Sequence, residues 1–191
     1  KILSPLLQQL VDDNVVIEID PKKLKESDNL EEQKEALLDL AQKILDTIIY
    51  SDLIPYTFHQ ISNCLSVMIT EKFSQEATYF GIGGFIFLRF ICPSIVAPEA
   101  FNLLKKSPPA PVRRTLVLVS KIIQFVANGA KHVKEKFMSD IALIFTERNS
   151  EPVKKFYDRL ATIPNEQIDD PALIPVPLVE EALTIVHHLV I

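Results

Sequence analysis

The sequence is poor in the residues on which several classes of protein depend. It has no Trp and only two Cys, Cys64 and Cys92, and both lie within apolar helical patterns. Two such thiols give no disulfide framework, so we expect both to be reduced and buried in a cytoplasmic protein. No signal peptide opens the chain, and no apolar run approaches the roughly 20 residues that a membrane-spanning helix needs. We therefore expect no membrane segment.

Basic residues are also scarce. There are 20 Lys and Arg against 25 Asp and Glu, a formal charge of −5, which argues against a nucleic-acid surface. A hydrophobic content of 48% over 191 residues is enough to build the core of one domain. The chain does not begin with Met. We expect residues 1–191 to be a single domain that is truncated at its N-terminus.

Strand patterns are rare, and helical periodicity dominates. The one extended stretch is residues 15–19, and no repeat of fixed period is present, so we predict an all-α, irregular helical bundle. The long amphipathic helix after Asn29 has a predicted buried stripe of Leu37, Leu40, Ile44, Leu45 and Ile48. The other predicted helices cover residues 3–11, a segment from Pro55 to Phe73, a segment that Pro93 stops, residues 112–128, residues 137–145, and a helix capped at Ser150 with Pro152 in its first turn.

The C-terminal region, residues 165–191, differs in composition from the rest. Pro171, Pro175 and Pro177 space it out before a last apolar helix over residues 178–191. Because that pattern is apolar, we expect the region to be a segment that docks on the domain.

Arg89 lies in GGFIFLRFICPSIVAP, residues 83–98, where almost every other side chain is apolar. The segment predicts a helix that is buried on nearly all sides. A guanidinium is rarely buried without a carboxylate or carbonyl oxygens to accept its hydrogen bonds. We therefore expect Arg89 to be buried and hydrogen-bonded, as an internal brace.

A second polar constellation lies on the helix of residues 112–128. Arg114, Lys121, Gln124 and Asn128 follow one another at spacings of seven, three and four, so they share one face of an otherwise apolar helix. One interpretation is the solvated edge of a surface helix. The other is a groove-lining face that offers positive charge and amide groups to an acidic protein surface.

Other candidate sites are weak. The glycines of residues 81–84 precede a helix, but no strand precedes them and no Lys-Ser/Thr follows, so close helix packing is the favoured interpretation. The adjacent pair His187 and His188 projects in different directions from a helix, and His59 and His132 have no ligand partner at i+4. We expect no metal site, no bound cofactor and no active site of its own.

Several segments together resemble one family. The Phe-Leu-Arg segment at residues 87–89 and SKIIQFVAN at residues 120–128, with ILSPLLQQLV, IEIDPKKL and NLEEQKEALL before them, are similar to the GTPase-activating domains that act on Ras-type GTPases. The order is the family's, and the segments resemble most closely the version in neurofibromin. The resemblance covers nearly the whole chain and fades after Pro164.

The resemblance implies a function and a site. A Ras-type small GTPase in its GTP-bound form is the implied partner, and GTP and Mg²⁺ belong to that partner. The implied GTPase-binding groove contains Leu88, Lys121, Gln124 and Asn128, with Lys134 as a looser match. Arg89 matches the arginine that braces the loop carrying the catalytic arginine finger.

The sequence departs from the family pattern at the finger. No arginine precedes Arg89, so we expect the finger loop to lie upstream of this chain, and no catalytic residue lies within it. Three alternatives stay open. The domain is an activator when the finger loop is present, or a scaffold of the IQGAP type that binds the GTPase without accelerating hydrolysis, or a helical adaptor without a GTPase partner. Recruitment to membranes is expected to depend on other parts of the parent protein.

Overall fold

The computed structural model describes residues 2–129 and 135–164, and within them the chain is helical and contains no strand. The predicted all-α class is therefore confirmed. The α-helices are α1 (Ser4–Asp12), α2 (Leu30–Ile49), α3 (Tyr56–Thr70), α4 (Gln75–Ile86), α5 (Cys92–Val96), α6 (Ala110–Ala127) and α7 (Ser139–Ala161), with a π-helical turn at Phe87–Ile91 and a 3-10 turn at Lys136–Met138. Lys134, His132 and residues 165–191, with the predicted docking helix, lie outside the described residues.

The helices form one irregular bundle around a shared core. α7 packs against α2, α3 and α6, while α6 also contacts α2 and α5, and α3 contacts α4. Helix α2 shows why the sequence favours this arrangement. The side chain of Asn29 caps it by accepting the Glu31 N–H at 3.0 Å. The five predicted stripe residues of α2 are all buried. Burying one such stripe per helix drives the assembly.

Helix α3 follows the prediction at its start but not at its end. It begins immediately after Pro55, whose fixed φ suits a helix start. It ends at Thr70, and Phe73, which the prediction included in the helix, lies beyond it and is 48% exposed. Residues 71–74 form a turn, and the side chain of Ser74 then caps α4 by accepting the Ala77 N–H at 3.3 Å.

Pro93 does not stop its helix, contrary to prediction. The π-helical turn comes just before it, and the Cys92 N–H bonds the carbonyl of Phe87, five residues back. Proline disrupts an α-helix because it lacks an N–H and its ring crowds the carbonyl four residues earlier. A π turn spaces these carbonyls differently, so the helix continues through Pro93 to Val96.

Pro152 also lies inside a helix, so the predicted start at Ser150 is wrong. Helix α7 runs without a break from Ser139 to Ala161. Asn149, on the turn before the proline, pairs with Gln42 of α2 through two reciprocal amide hydrogen bonds of 2.9 Å. A proline inside a helix costs roughly 3 kcal/mol. Packing of buried side chains on both sides of Pro152 offsets that cost.

The segment Gln75–Val96, which joins α4, the π turn and α5, is 22 residues long and apolar enough to cross a membrane by length and composition alone. The prediction that no apolar run approaches this length is therefore wrong, because the helix continues past Pro93. Of its most apolar window, 44% is buried inside the protein. The core helix of a soluble protein passes the same test, so this feature is weak evidence for a membrane segment.

Candidate functional site

Two close contacts hold α4 and α5 alongside α6. Gly83 of α4 lies so near α6 that an added Cβ would be 2.5 Å from the carbonyl oxygen of Ala127. At the other end, the Ser120 hydroxyl donates to the carbonyl of Cys92 at 3.4 Å. Residue numbers rise along one partner as they fall along the other, so the helices are antiparallel. Leu88 lies between Gly83 and Cys92 in the chain, and Gln124 lies between their contact residues on α6. The close helix packing predicted for the glycines is confirmed at Gly83.

A third contact, which the sequence did not predict, joins the end of α5 to the start of α6. The guanidinium of Arg113 donates to the carbonyl of Val96 at 2.9 Å and also pairs with Glu99 and Ser107. Arg113 therefore fixes the loop that leaves α5 against the first turn of α6. The sequence signal was only an arginine next to Arg114, and nothing local identifies the carbonyl of Val96 as its acceptor.

The polar stripe of α6 borders this helix pair. Ser120 and Ala127 are seven residues apart and face α4 and α5. Lys121 directly follows Ser120, and Asn128 directly follows Ala127, so both side chains point about 100° around the helix from the line that joins Ser120 and Ala127. The side chain of Gln124 points about 40° from the same line. All three side chains are half-buried. The stripe therefore lies along the edge of the contact, partly open to solvent.

Lys121 is paired within the protein. Its ammonium forms an ion pair with Glu135, and the two side chains are 37% and 38% exposed. Exposed pairs of this kind contribute about 0–1 kcal/mol. An incoming carboxylate can therefore replace Glu135 as the partner of Lys121 at small cost.

Arg114 has a structural task, which corrects its placement on the partner-facing stripe. Its guanidinium donates to both carboxylate oxygens of Glu18, at 2.8 and 2.9 Å. Burial raises the pKa of Glu18, but Arg114 and the N–H groups of Asp20 and Ile19 outweigh it and hold the pKa below its ordinary value. Arg114 thus holds the extended segment of residues 15–19 against α6.

Arg89 is exposed, and within residues 2–129 and 135–164 its side chain makes no hydrogen bond or ion pair. The prediction of a buried, internally bonded Arg89 is wrong for the described part of the chain. Its position explains the result, because Phe87 faces the rings of Phe156 and Tyr157 at 6.1 and 6.0 Å, and Arg89 lies two residues further around the π turn. The guanidinium is therefore available to a group outside the described domain.

Leu88 is half-buried beside Arg89. The structure thus brings the helices carrying Leu88, Lys121, Gln124 and Asn128 side by side with each of these side chains partly accessible. That all four line one groove stays a prediction, and Lys134 lies outside the described residues. In the described part of the chain, no group of three or more His, Cys, Asp or Glu residues is placed to hold a metal ion.

Sequence comparison identifies the fold that carries this helix pair. The family model of the GTPase-activator protein for Ras-like GTPase matches residues 25–128, just over half of the chain. The chain belongs to this RasGAP family. Human Ras GTPase-activating protein 2 is 35% identical over 170 residues, covering 84% of this chain and 20% of its own length. Human Ras GTPase-activating protein 1 is 29% identical over 166 residues, covering 85% and 16%.

A protein of the amoeba lineage that includes Dictyostelium is also similar to this chain. The probable Ras GTPase-activating-like protein ngap of Dictyostelium discoideum is 28% identical over 193 residues, covering 98% of this chain and 22% of its own length. This RasGAP-family chain spans about a fifth of the length of the curated relatives it matches. The particular similarity to neurofibromin stays a prediction.

Proposed function

We propose that this RasGAP-family domain binds the GTP-bound form of a Ras-type small GTPase and accelerates its GTP hydrolysis when an upstream loop supplies an arginine finger. One observation carries the proposal. The π turn that carries the partly accessible Leu88 and the exposed Arg89 belongs to a helical segment that three contacts join to α6, the helix that carries the half-buried polar stripe.

The proposed division of labour follows from the chemistry of phosphoryl transfer. Negative charge spreads over the γ-phosphate oxygens and the leaving oxygen in the transition state, so the reaction gains most from positioned positive charge. The GTPase supplies the phosphate cradle and Mg²⁺, so this domain needs no cofactor of its own. In Ras-type GTPases an inserted arginine is known to contribute about 10³–10⁵ in rate.

Within this domain, Lys121, Gln124 and Asn128 contact the GTPase in the proposal, and Leu88 forms the apolar side of the same groove. Lys134 is the further basic contact. Lys121 exchanges Glu135 for a carboxylate of the partner. Such an exchange needs little further desolvation of Lys121, because its present pair with Glu135 is only partly exposed.

Arg89 is assigned to bracing the finger loop. Residues 1–88 contain no arginine, so the finger has to come from another segment. An exposed guanidinium without a partner in the described domain can donate to several main-chain carbonyls of such a loop. Arg89 then acts as a positioning residue, and its loss lowers the rate through the finger rather than through binding.

The test of the groove is equilibrium binding to a GTP-loaded Ras-type GTPase. Lys121→Ala should weaken association by about 1–3 kcal/mol, or roughly 5- to 150-fold in Kd. The matched control is Lys154→Ala on α7, because Lys154 is 35% exposed and also ion-paired. Equal effects of the two substitutions would refute the assigned groove.

The test of Arg89 is single-turnover GTP hydrolysis with a chain that includes the finger loop. Arg89→Ala should lower the maximal rate at saturating activator while leaving the Kd nearly unchanged. Arg148→Ala is the control, since Arg148 is also exposed and makes no side-chain bond in residues 2–129 and 135–164. Full stimulation by residues 1–191 alone would contradict the assignment of Arg89 as a brace.

A scaffold of the IQGAP type is the second candidate, because such a scaffold needs no arginine finger and residues 1–88 contain no arginine. The same hydrolysis assay separates the two. Measurable binding without stimulation by the chain that includes the upstream loop would assign the protein to the scaffold class.

A further inference from the structure

We propose that Ser107 is a phosphorylation site for a protein kinase that selects a serine followed by a proline, and that Arg113 binds the added phosphate. Ser107 and Pro108 lie in the loop between α5 and α6, residues 97–109, which contains turns and bends but no helix. Surface loops tolerate changes that packed helices do not. The proposal does not rest on the proposed function.

The loop offers the Ser107 hydroxyl to a kinase in a suitable backbone geometry. Ser107 and the two residues before it are exposed. Because a proline restricts the residue before it to extended conformations, Ser107 is kept out of helical geometry. Pro109 continues the extended path with φ −53° and ψ 147°, close to polyproline II. Protein kinases bind their substrate segments in an extended form, so the backbone needs little rearrangement.

Pro108 is buried, so a kinase that reads this proline has to lift the segment from the domain. The main chain of residues 105–108 makes no hydrogen bond within the described part of the protein. Lifting the segment therefore breaks only side-chain contacts, those of the Pro108 ring and the Ser107 hydroxyl. Local openings of this kind require far less free energy than global unfolding.

The charges around Ser107 favour a phosphate. The guanidinium of Arg113 donates to the Ser107 hydroxyl, and that hydroxyl donates to the carboxylate of Glu99 at 3.3 Å. Lys105 and Lys106 directly precede Ser107, are exposed, and form no ion pair among the described residues. One guanidinium and two ammonium groups thus oppose a single carboxylate.

The modification gives Arg113 a stronger partner than Glu99. In the transfer, Oγ of Ser107 bonds to the γ-phosphorus of ATP, the bond from that phosphorus to the oxygen it shares with the β-phosphorus breaks, ADP leaves, and the hydroxyl proton passes to the catalytic carboxylate of the kinase. The product carries a charge of about −1.5 to −2 at pH 7. A guanidinium binds phosphate through two parallel hydrogen bonds, and the same negative charge repels Glu99. Nη2 of Arg113 then binds the phosphate, while Nη1 keeps the carbonyl of Val96.

Kinase labelling of the folded chain of residues 1–191 tests the site, with ATP and a purified mitogen-activated protein kinase as the proline-directed probe. By mass spectrometry, Ser107 should be modified at least ~10-fold faster than Ser4. Ser4 is the matched control because it also precedes a proline but is half-buried in the first turn of α1. Pro108→Ala should slow the labelling of Ser107 at least ~10-fold. An unlabelled Ser107 in the folded chain, equal labelling of Ser4, or a rate that Pro108→Ala leaves unchanged would overturn the proposal.

Phosphorus NMR of the modified chain tests the role of Arg113. The second pKa of a phosphoserine is about 6, and an adjacent guanidinium lowers it by favouring the dianion. We expect phosphorylated Ser107 in the folded chain to titrate at least ~0.5 pH unit lower than in a phosphorylated peptide of residues 103–111, which contains both lysines but not Arg113. Arg113→Gln should remove the difference, whereas Arg148→Gln, at an exposed arginine far along the chain, should not.

The comparison of chain with peptide needs no substitution, so its result does not depend on the folding of Arg113→Gln. Equal titration midpoints in the folded chain and the peptide would overturn the assignment of Arg113 to the phosphate. A difference that persists in a folded Arg113→Gln variant would overturn it as well.

Discussion

Gly83→Ala should destabilise the protein by pushing α4 away from α6. A Cβ at this position would lie 2.5 Å from the carbonyl oxygen of Ala127 and 2.6 Å from the hydroxyl of Tyr157. Neither obstacle can move easily. The carbonyl is part of the α6 backbone, and Tyr157 is 2% exposed and donates to that same carbonyl at 3.0 Å.

The expected loss follows from three contributions to the free energy of unfolding. Overpacking a close contact costs about 1–3 kcal/mol, and loss of the hydrogen bond between Tyr157 and Ala127 costs about 1 kcal/mol. Replacing a glycine inside a helix by alanine returns about 1 kcal/mol. The net destabilisation by Gly83→Ala is therefore about 1–3 kcal/mol.

Urea unfolding of the wild type and its variants tests this reasoning. Gly81→Ala is the control, because its Cβ would meet only the terminal methyl of Ile69, at 2.3 Å, and that methyl can rotate away. We expect it to cost much less than Gly83→Ala despite the shorter distance. Tyr157→Phe removes the hydroxyl that the Cβ added by Gly83→Ala would strike. The double variant should therefore lose about 1 kcal/mol less free energy of unfolding than the two single variants lose together. Equal stability of the two alanine variants, or strict additivity, would refute the argument.

Three further predictions concern single side chains. Thr115→Val should destabilise the protein by about 1–3 kcal/mol in urea unfolding, because it leaves the buried N–H of Ile17, bonded to the Thr115 hydroxyl at 2.8 Å, without an acceptor. Cys92 should resist thiol reagents at pH 8 in the folded protein, since burial raises its pKa to about 11, and rapid labelling of both thiols would contradict this. The pKa of Glu18 in the folded protein is below its ordinary value of 4.5, so ionised Glu18 stabilises the fold above pH 4.5. This stabilisation is lost as the pH falls through the pKa that Glu18 has in the folded protein. The difference in free energy of unfolding between the wild type and Glu18→Gln should therefore shrink from pH 7 to pH 3. A constant difference would exclude the pairing of Glu18 with Arg114 as its source.

The helices whose burial is one-sided were predictable from the sequence. The 20 residues of α2 alternate between an apolar stripe and charged positions, and Asn29 provides a local start signal. Local signals failed at Pro93 and Pro152, where proline usually ends a helix. The helix continues past Pro93 because the preceding π turn changes the spacing of the carbonyls. Helix α7 continues past Pro152 because contacts with distant segments, such as the pairing of Asn149 with Gln42, outweigh a local cost of a few kcal/mol.

The helices of the candidate site were predictable from the sequence, but the partners of its charged side chains were not. Spacing alone placed Lys121, Gln124 and Asn128 on one face of α6, and the structure agrees that they share a partly open edge. The partners of Arg89 and Arg114 could not be obtained this way. Whether a guanidinium meets a carboxylate or solvent depends on residues far away in the chain, and Glu18 is 96 positions from Arg114.

The π turn explains how so apolar a helix can still be reached from outside. Phe87 and Cys92 are both buried although they are five positions apart, whereas a regular α-helix returns to the same face after 3.6 residues. The wider turn accommodates one extra residue, so the four positions between these two, residues 88–91, each retain some exposure. The only charge in this stretch, Arg89, lies within that window. A regular α-helix through the same sequence would bring one of residues 88–91 back to the buried face. The exposed position of Arg89 therefore depends on the π turn as well as on the sequence around it.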